Sequence, residues 1–181
     1  MSDRQIDRMR FAYADPPYLG QGAKWYGKHH PDAAVWDDPQ THIELVARLV
    51  DEYPDGWAIS LSAPSLKLYL NACPDDIRVA AWVKTWHQFL PLTTQYAWEP
   101  VIWRGGRKDP KRNPWVRDWF SAGGGNPSHG PRLPGAKPPE FNRWVADLLC
   151  YRAGDELEDL FPGTGGMTVA LNQGDLFGSA S

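Results

Sequence analysis

The sequence predicts an α/β fold built on a sheet with parallel strand pairs. Two observations carry this: short apolar runs alternate with segments of helical periodicity along the first half of the chain, and a glycine-rich turn joins a strand to a helix near the other end. A third concerns position. Phe11, Ala12, Tyr13 and Ala14 read as a buried strand that must stop at Asp15-Pro16-Pro17-Tyr18, because proline cannot continue a ladder. Asp15 therefore falls at a strand's carboxyl end, the edge where ligands bind in open α/β sheets. An Asp-Pro turn is the simpler reading of the same four letters.

The remaining elements follow in order. Leu19 to Asp38 has glycines at 20, 22 and 27 and reads as a mobile loop over that edge. It contains His29-His30, which lack a helical ligand spacing and an acidic or cysteine partner, so no metal is expected. Asp38 caps a helix with Pro39 in its first turn, and Ile43, Val46, Ala47 and Val50 mark its sheet-packing side until Pro54-Asp55-Gly56 ends it. Trp57 to Leu61 reads as a strand, Pro64 to Ala72 as a short helix and Ile77 to Lys84 as a strand. A further strand, Tyr96 to Trp103, holds Glu99-Pro100 in its middle, which predicts a sheet edge or a bulge.

Composition then changes. Arg104 to Lys137 is rich in glycine, proline and cations, with Arg104, Arg107, Lys108, Lys111, Arg112 and Arg117 interleaved by Trp115 and Trp119. Cations for phosphates and rings for bases are what nucleic-acid binding needs, against the alternative of a solvated loop. Pro138-Pro139 opens a helix with Phe141, Val145, Leu148 and Leu149 on its buried side. Leu157 to Phe161 is the last strand. It runs into Pro162-Gly163-Thr164-Gly165-Gly166, and Met167 to Leu171 begins a helix whose amides suit an anionic group. This is no P-loop, since no Lys-Ser/Thr follows, and Thr168 stands where a dinucleotide fingerprint has its third glycine.

Global properties limit the classes of function. A chain of 181 residues, 42% hydrophobic, supports one sizeable core, and a formal charge of -3 implies that any polyanion is met locally. No apolar run is long enough to span a bilayer, and Met1-Ser2-Asp3-Arg4-Gln5 is not followed by a signal core, so a cytoplasmic protein without membrane contact is expected. Cys73 and Cys150 lack a CxxC pattern and fit reduced structural thiols. The ten tryptophans serve either as core or as stacking surfaces for a flat ligand.

Three motifs in one order carry a resemblance. Asp15-Pro16-Pro17-Tyr18 resembles the catalytic motif of the S-adenosylmethionine-dependent amino-methyltransferases of DNA, and Asp159-Leu160-Phe161-Pro162-Gly163-Thr164-Gly165-Gly166 resembles their cofactor loop. Lys137-Pro138 resembles the Lys-Pro element that opens the helix before that loop. Catalytic motif first and glycine loop last is similar to the circularly permuted beta group of the family. The resemblance covers nearly the whole chain. It implies one Rossmann-like class I methyltransferase domain over residues 1–181, permuted and truncated after the cofactor loop, with 104–137 in the place of the target-recognition region.

It also implies roles. Asp15, Pro16, Pro17 and Tyr18 would be catalytic, with Asp15 and the Pro16 carbonyl accepting the hydrogens of an exocyclic amine and Tyr18 stacking on a base swung out of the duplex. Asp159, Phe161, Gly163, Gly165 and Lys137 would line the site for S-adenosylmethionine. An aspartate at the first motif position resembles adenine-N6 enzymes, whereas the cytosine-N4 relatives commonly begin with serine. Cytosine-C5 chemistry would need a thiol in a Pro-Cys context, and the chain has Cys73-Pro74 and Cys150 instead. In the family an acidic strand end beyond the glycine loop binds the cofactor ribose; here Asp175 follows the loop too closely to take that position. The glycine-loop strand should also lie at a sheet edge, which invites coverage by the tail, by a second copy in a homodimer or by a partner subunit. A nucleic-acid-binding or regulatory pseudoenzyme that has lost cofactor binding, or a methyltransferase for RNA, a small molecule or the cytosine N4 amine, is the alternative function.

Overall fold

The computed structural model describes residues 8–27, 31–85, 91, 93–122, 137–163 and 165–174. Six strands form one mixed sheet in the order β5-β3-β4-β2-β1-β6. They are β1 Arg10–Ala14, β2 Gly56–Ser60, β3 Arg78–Lys84, β4 Trp98–Gly105, β5 Trp119–Ala122 and β6 Glu156–Asp159. β1 pairs in parallel with both β2 and β6, β3 pairs in parallel with β5, and β4 runs antiparallel between β2 and β3.

Among the described residues, four α-helices cover the two faces. They are α1 Pro39–Glu52, α2 Leu66–Ala72, α3 Pro139–Leu148 and α4 Gly166–Gly174. The two-residue period of a strand sends its side chains to alternate faces. Phe11 and Tyr13 of β1, with Trp82, Val101 and Trp103, accordingly pack on Phe141, Trp144, Val145 and Met167 from α3 and α4. Ala12 and Ala14, with Ile59 and Ile102, pack on Leu45, Val46, Leu49 and Tyr69 from α1 and α2. Burial of these side chains on both faces is the main force holding the layers together, at about 2 kcal/mol for each large one.

Local chemistry sets the ends of the elements. Asp38 caps α1 by accepting from Gln40 N at 2.9 Å, with Pro39 in the first turn as expected. Gly56 and Gly105 face each other where β2 and β4 begin to pair. A Cβ on Gly105 would lie 2.6 Å from the Asp55 carbonyl oxygen, and its φ of +72° is one that glycine adopts without strain.

Five readings of the sequence change. The buried side of α1 is His42, Leu45, Val46 and Leu49, not Ile43, Val46, Ala47 and Val50; Ile43 and Ala47 are exposed. His42 belongs inside because its ring bonds the Tyr69 hydroxyl at 2.6 Å and the Trp36 carbonyl at 2.7 Å, so the periodicity rests on a polar residue. The segment expected as one loop from Leu19 to Asp38 holds a π-helical turn at Gly22–Tyr26 and a 3-10 helix at Pro31–Asp37. Asp37 joins them by accepting from the backbone amides of Gly22 and Ala23. His29-His30 lie outside the described residues.

β4 is interior, not an edge strand, despite Pro100. Pro100 lies just past the last paired residue of β2, and its carbonyl accepts from Leu61 N, so the missing N–H falls at the frayed end of that ladder. β5 is a strand inside the segment read as a Gly/Pro-rich connection, and residues 123–136 of that segment lie outside the described residues. The last strand stops at Asp159, two residues early, because Asp159 turns its carboxylate back to accept from Phe161 N at 3.1 Å.

Candidate active site

Asp15 directly follows β1, and Asp159 ends the neighbouring β6, in register with Tyr13. The helix after β1 packs on one face of the sheet and the helix after β6 on the other. Adjacent parallel strands whose following helices diverge in this way leave a crevice at their carboxyl ends. Asp15 and Asp159 stand at its floor.

Lys137, immediately before α3, reaches into this crevice. Its ammonium donates to both carboxylate oxygens of Asp15 at 3.0 Å and lies 3.1 Å from the Tyr18 hydroxyl. The Tyr18 hydroxyl in turn donates to Glu99 Oε2 at 2.5 Å, and Lys84 donates to Glu99 Oε1. Lys137 is 3.7 Å from Glu99 Oε2. Two lysines, two carboxylates and one phenol thus form a continuous network at the ends of β1, β3 and β4. The rings of Tyr18, Trp82 and Phe141 surround the Lys137 ammonium at 5.2, 5.7 and 6.0 Å, a cation–π environment that offsets part of its desolvation.

The electrostatics differ between the two carboxylates. Burial pushes the Asp15 carboxyl above its ordinary value, and the charge and hydrogen bonds of Lys137 pull it only part of the way back. Burial acts on Glu99 too, but Lys137 and Lys84 together outweigh it and hold Glu99 below the usual range. Burial raises the Tyr18 hydroxyl well above its normal value, with Glu99 and Asp15 adding to the effect, so Tyr18 is a neutral donor. Asp159 is raised by burial first, and the charge of Asp15 adds to the shift.

The expected cofactor residues gather beside this network. Phe161 packs edge-on against Trp36 at 4.9 Å, beneath the 3-10 helix. Gly163 and Gly165 have φ of +46° and +76°, and a Cβ on Gly165 would meet nothing within 4 Å. The loop backbone is therefore open to close approach. Thr164 and Asp175 lie outside the described residues. Pro16 is buried and Pro17 half-buried beside Asp15. Lys137, read from the sequence as part of a cofactor site, makes its described contacts with Asp15, Tyr18 and Glu99.

Lys137 apart, the cations described in this segment, Arg104, Arg107, Lys108, Lys111, Arg112 and Arg117, are not brought to this crevice. Arg104 pairs with Asp76 at 2.7 Å, and β4 is antiparallel, so Arg104 sits opposite Trp57 at the amino-terminal edge of the parallel strands. Arg107 pairs with the buried Asp155 at 2.6 Å and Arg112 with Asp147 at 2.6 Å. Arg117 lies over the Trp119 ring at 5.3 Å, and Lys108 and Lys111 are exposed. A shallow cleft lined by Arg78, Trp103, Arg117 and Trp119 opens on the same side. Among the described residues, no group of three or more His, Cys, Asp or Glu side chains could hold a metal, and no helix is long and apolar enough to cross a membrane.

Sequence reasoning missed Glu99 and Lys84. A signal existed: the two lie at the facing ends of consecutive strands with opposite charge, the arrangement that pairs across an antiparallel ladder.

No family model and no curated protein matches the chain. Solved structures do. M1.HpyAVI in complex with S-adenosylmethionine is similar over 92% of this chain and 77% of that one, at 15% identity and a TM-score of 0.58. The chain shares the fold of that protein. A candidate DNA modification methylase from Thermus thermophilus is similar over 90% of this chain and 75% of its own, at 17% identity and a TM-score of 0.52. A second structure of M1.HpyAVI gives 14% identity over 92% of this chain and 76% of that one, with a TM-score of 0.50.

Proposed function

We propose that the chain transfers a methyl group from S-adenosylmethionine to an exocyclic amine of a base in DNA, the N6 amine of adenine in particular. The observation that carries the reading is Asp15 at the end of β1, beside Tyr18 and across from the Asp159–Gly165 strand, loop and helix. An exocyclic amine is a poor nucleophile because its lone pair is delocalised into the ring. A carboxylate that accepts one N–H, with the Pro16 carbonyl accepting the other, turns that lone pair toward the donor. Tyr18, with its hydroxyl anchored, offers its ring to a flipped base.

The residues fit the cofactor. It supplies, when bound, a methyl group already activated on a cationic sulfonium. Asp15 and Asp159 are both raised by burial and repel each other, so a cation beside them relieves an existing cost. Gly165 leaves room for a ligand against the backbone, and Asp159, Phe161 and Gly163 complete that wall. Pro17 holds the turn rigid. The exposed Lys108 and Lys111 and the Arg117–Trp119 pair are the cations of 104–137 best presented to a polyanion, while Arg104, Arg107 and Arg112 also serve the fold. In this reading residues 1–181 are one permuted domain in a cytoplasmic protein, and β6, outermost among the described strands, is where a partner would sit.

Transfer of labelled methyl from S-adenosylmethionine to DNA tests the proposal, and full activity after Asp15→Ala would sink it. One observation favours a second reading. Both Asp15 oxygens are engaged by Lys137, as befits a nucleic-acid-binding pseudoenzyme in which the carboxylate has become structural. Calorimetry with millimolar S-adenosylmethionine separates them, since a pseudoenzyme that has lost the cofactor gives no heat of binding.

A further inference from the structure

Lys137 stands between two carboxylates contributed by distant parts of the chain. It hydrogen-bonds Asp15 at 3.0 Å and stops 3.7 Å from Glu99 Oε2, just beyond hydrogen-bond range. We propose that Glu99 is a positioning residue that receives the Lys137 ammonium when a target amine takes over an Asp15 oxygen. The inference rests on the methyl-transfer reading above.

A lysine ammonium has three donors and no acceptor. Lys137 directs hydrogen bonds to both Asp15 oxygens and lies near the Tyr18 hydroxyl. A target amine needs an Asp15 oxygen as acceptor and competes directly with this cation. Expelling Lys137 to water is not open to it, because its side chain is only 6% exposed and lies among the rings of Tyr18, Trp82 and Phe141. Leaving it inside without an anion is costly in a low-dielectric site. A small movement from Asp15 to Glu99 avoids both penalties.

Glu99 is prepared for this role. It sits on β4, opposite Trp82 of β3, and Lys84 and the Tyr18 hydroxyl hold its two oxygens in place. Its carboxylate stays ionised because Lys137 and Lys84 outweigh burial. The charged and titratable groups that bear on Asp15 and Glu99 from the surrounding elements are Tyr13, Tyr18, Lys84, Lys137, Tyr69 on α2 and, on β6, Asp159. Glu99 offers Lys137 a second carboxylate within 4 Å.

The test uses Glu99→Gln, which keeps the size and the acceptor for Tyr18 but removes the charge. Its kcat/KM for DNA is expected to fall about ten-fold or more, with S-adenosylmethionine affinity within about two-fold of the parent. Glu99→Asp restores part of the loss. Adding Lys137→Met to Glu99→Gln raises activity above Glu99→Gln alone, since nothing then caps Asp15; a loss that simply adds overturns the proposal. A second measurement needs no turnover. The Asp15 carboxyl, followed by carbon NMR in the ligand-free protein, titrates at lower pH in Glu99→Gln than in the parent, because the Glu99 charge that raises it is gone and Lys137 no longer divides its charge between two anions; in a Lys137→Met background the same substitution shifts it less, and an equal shift in both backgrounds overturns the sharing. An unchanged midpoint overturns the sharing of Lys137 even if the chain methylates DNA. If the parent shows no transfer to any substrate, the methyl-transfer reading has failed, and the titration still decides the sharing of Lys137.

Discussion

The Lys137 ammonium donates to both oxygens of the Asp15 carboxylate, at 3.0 Å each, across 122 residues of sequence. The contact ties the turn after the first strand to the residue that opens α3. It also places a cation on the group that the proposed chemistry requires as an acceptor.

Activity should fall on the acid side as Asp15 takes up a proton. Its carboxyl is raised above the ordinary aspartate value by burial, so the acid limb of kcat/KM lies above about pH 3.9. Lys137 lowers that value, and Lys137→Met should therefore move the limb to higher pH. A pH–rate profile with DNA checks both statements, and a limb that stays in place in the variant argues against Asp15 as the titrating group.

Asp155 should be a strong contributor to stability at neutral pH. It accepts from the backbone of Met9 at 3.0 Å, from the backbone of Arg152 at 2.9 Å and from Arg107 at 2.6 Å, and these bonds outweigh burial to hold its carboxyl low. For a depressed carboxylate the stabilisation is present above the unfolded value of about 3.9 and is lost as pH falls through the lower folded value. Asp155→Ala should cost about 3 kcal/mol in urea unfolding at pH 7, with the gap narrowing in acid. Equal stability at pH 7 would contradict the assignment.

Gly165→Ala separates folding from ligand binding. Its φ of +76° strains an alanine, at a cost of about 1 kcal/mol, while the space around the added methyl is open. Melting should change little. Binding of S-adenosylmethionine should weaken by about ten-fold or more if the ligand lies against this backbone, and calorimetry reads that directly.

Cations on 104–137 should divide into two groups. Lys108→Ala with Lys111→Ala removes exposed charge and should lower DNA affinity, with the salt slope falling by about two. Arg107→Ala should instead lower stability, because it breaks the pair with buried Asp155. Titrations of a DNA duplex at several salt concentrations distinguish charge lost from fold lost.

Much of this site was legible in the sequence because its parts lie at the ends of strands, where proline and glycine mark the boundary. Asp15-Pro16 ended β1, and the glycines after Asp159 opened toward α4, as the local patterns required. The meeting of Lys137 with Asp15, by contrast, depends on α3 packing Phe141 and Val145 onto the face that carries Tyr13, a tertiary relation no spacing reveals. Glu99 was hidden for a related reason: Pro100 pointed to an edge strand, whereas β4 is inserted between β2 and β3 and carries Glu99 into the crevice. The cations of 104–137 looked continuous as letters, yet their acidic partners Asp76, Asp147 and Asp155 lie far along the chain and hold three of them to the opposite edge.

The central claim is that Asp15 supports methylation of an amine in DNA. Its most direct test is incubation of unmethylated DNA with the protein and S-adenosylmethionine, digestion to nucleosides and mass spectrometry. The account predicts N6-methyladenine with the parent chain and none with Asp15→Ala. Unmodified DNA from a protein that binds the cofactor, or equal methylation by Asp15→Ala, would contradict it.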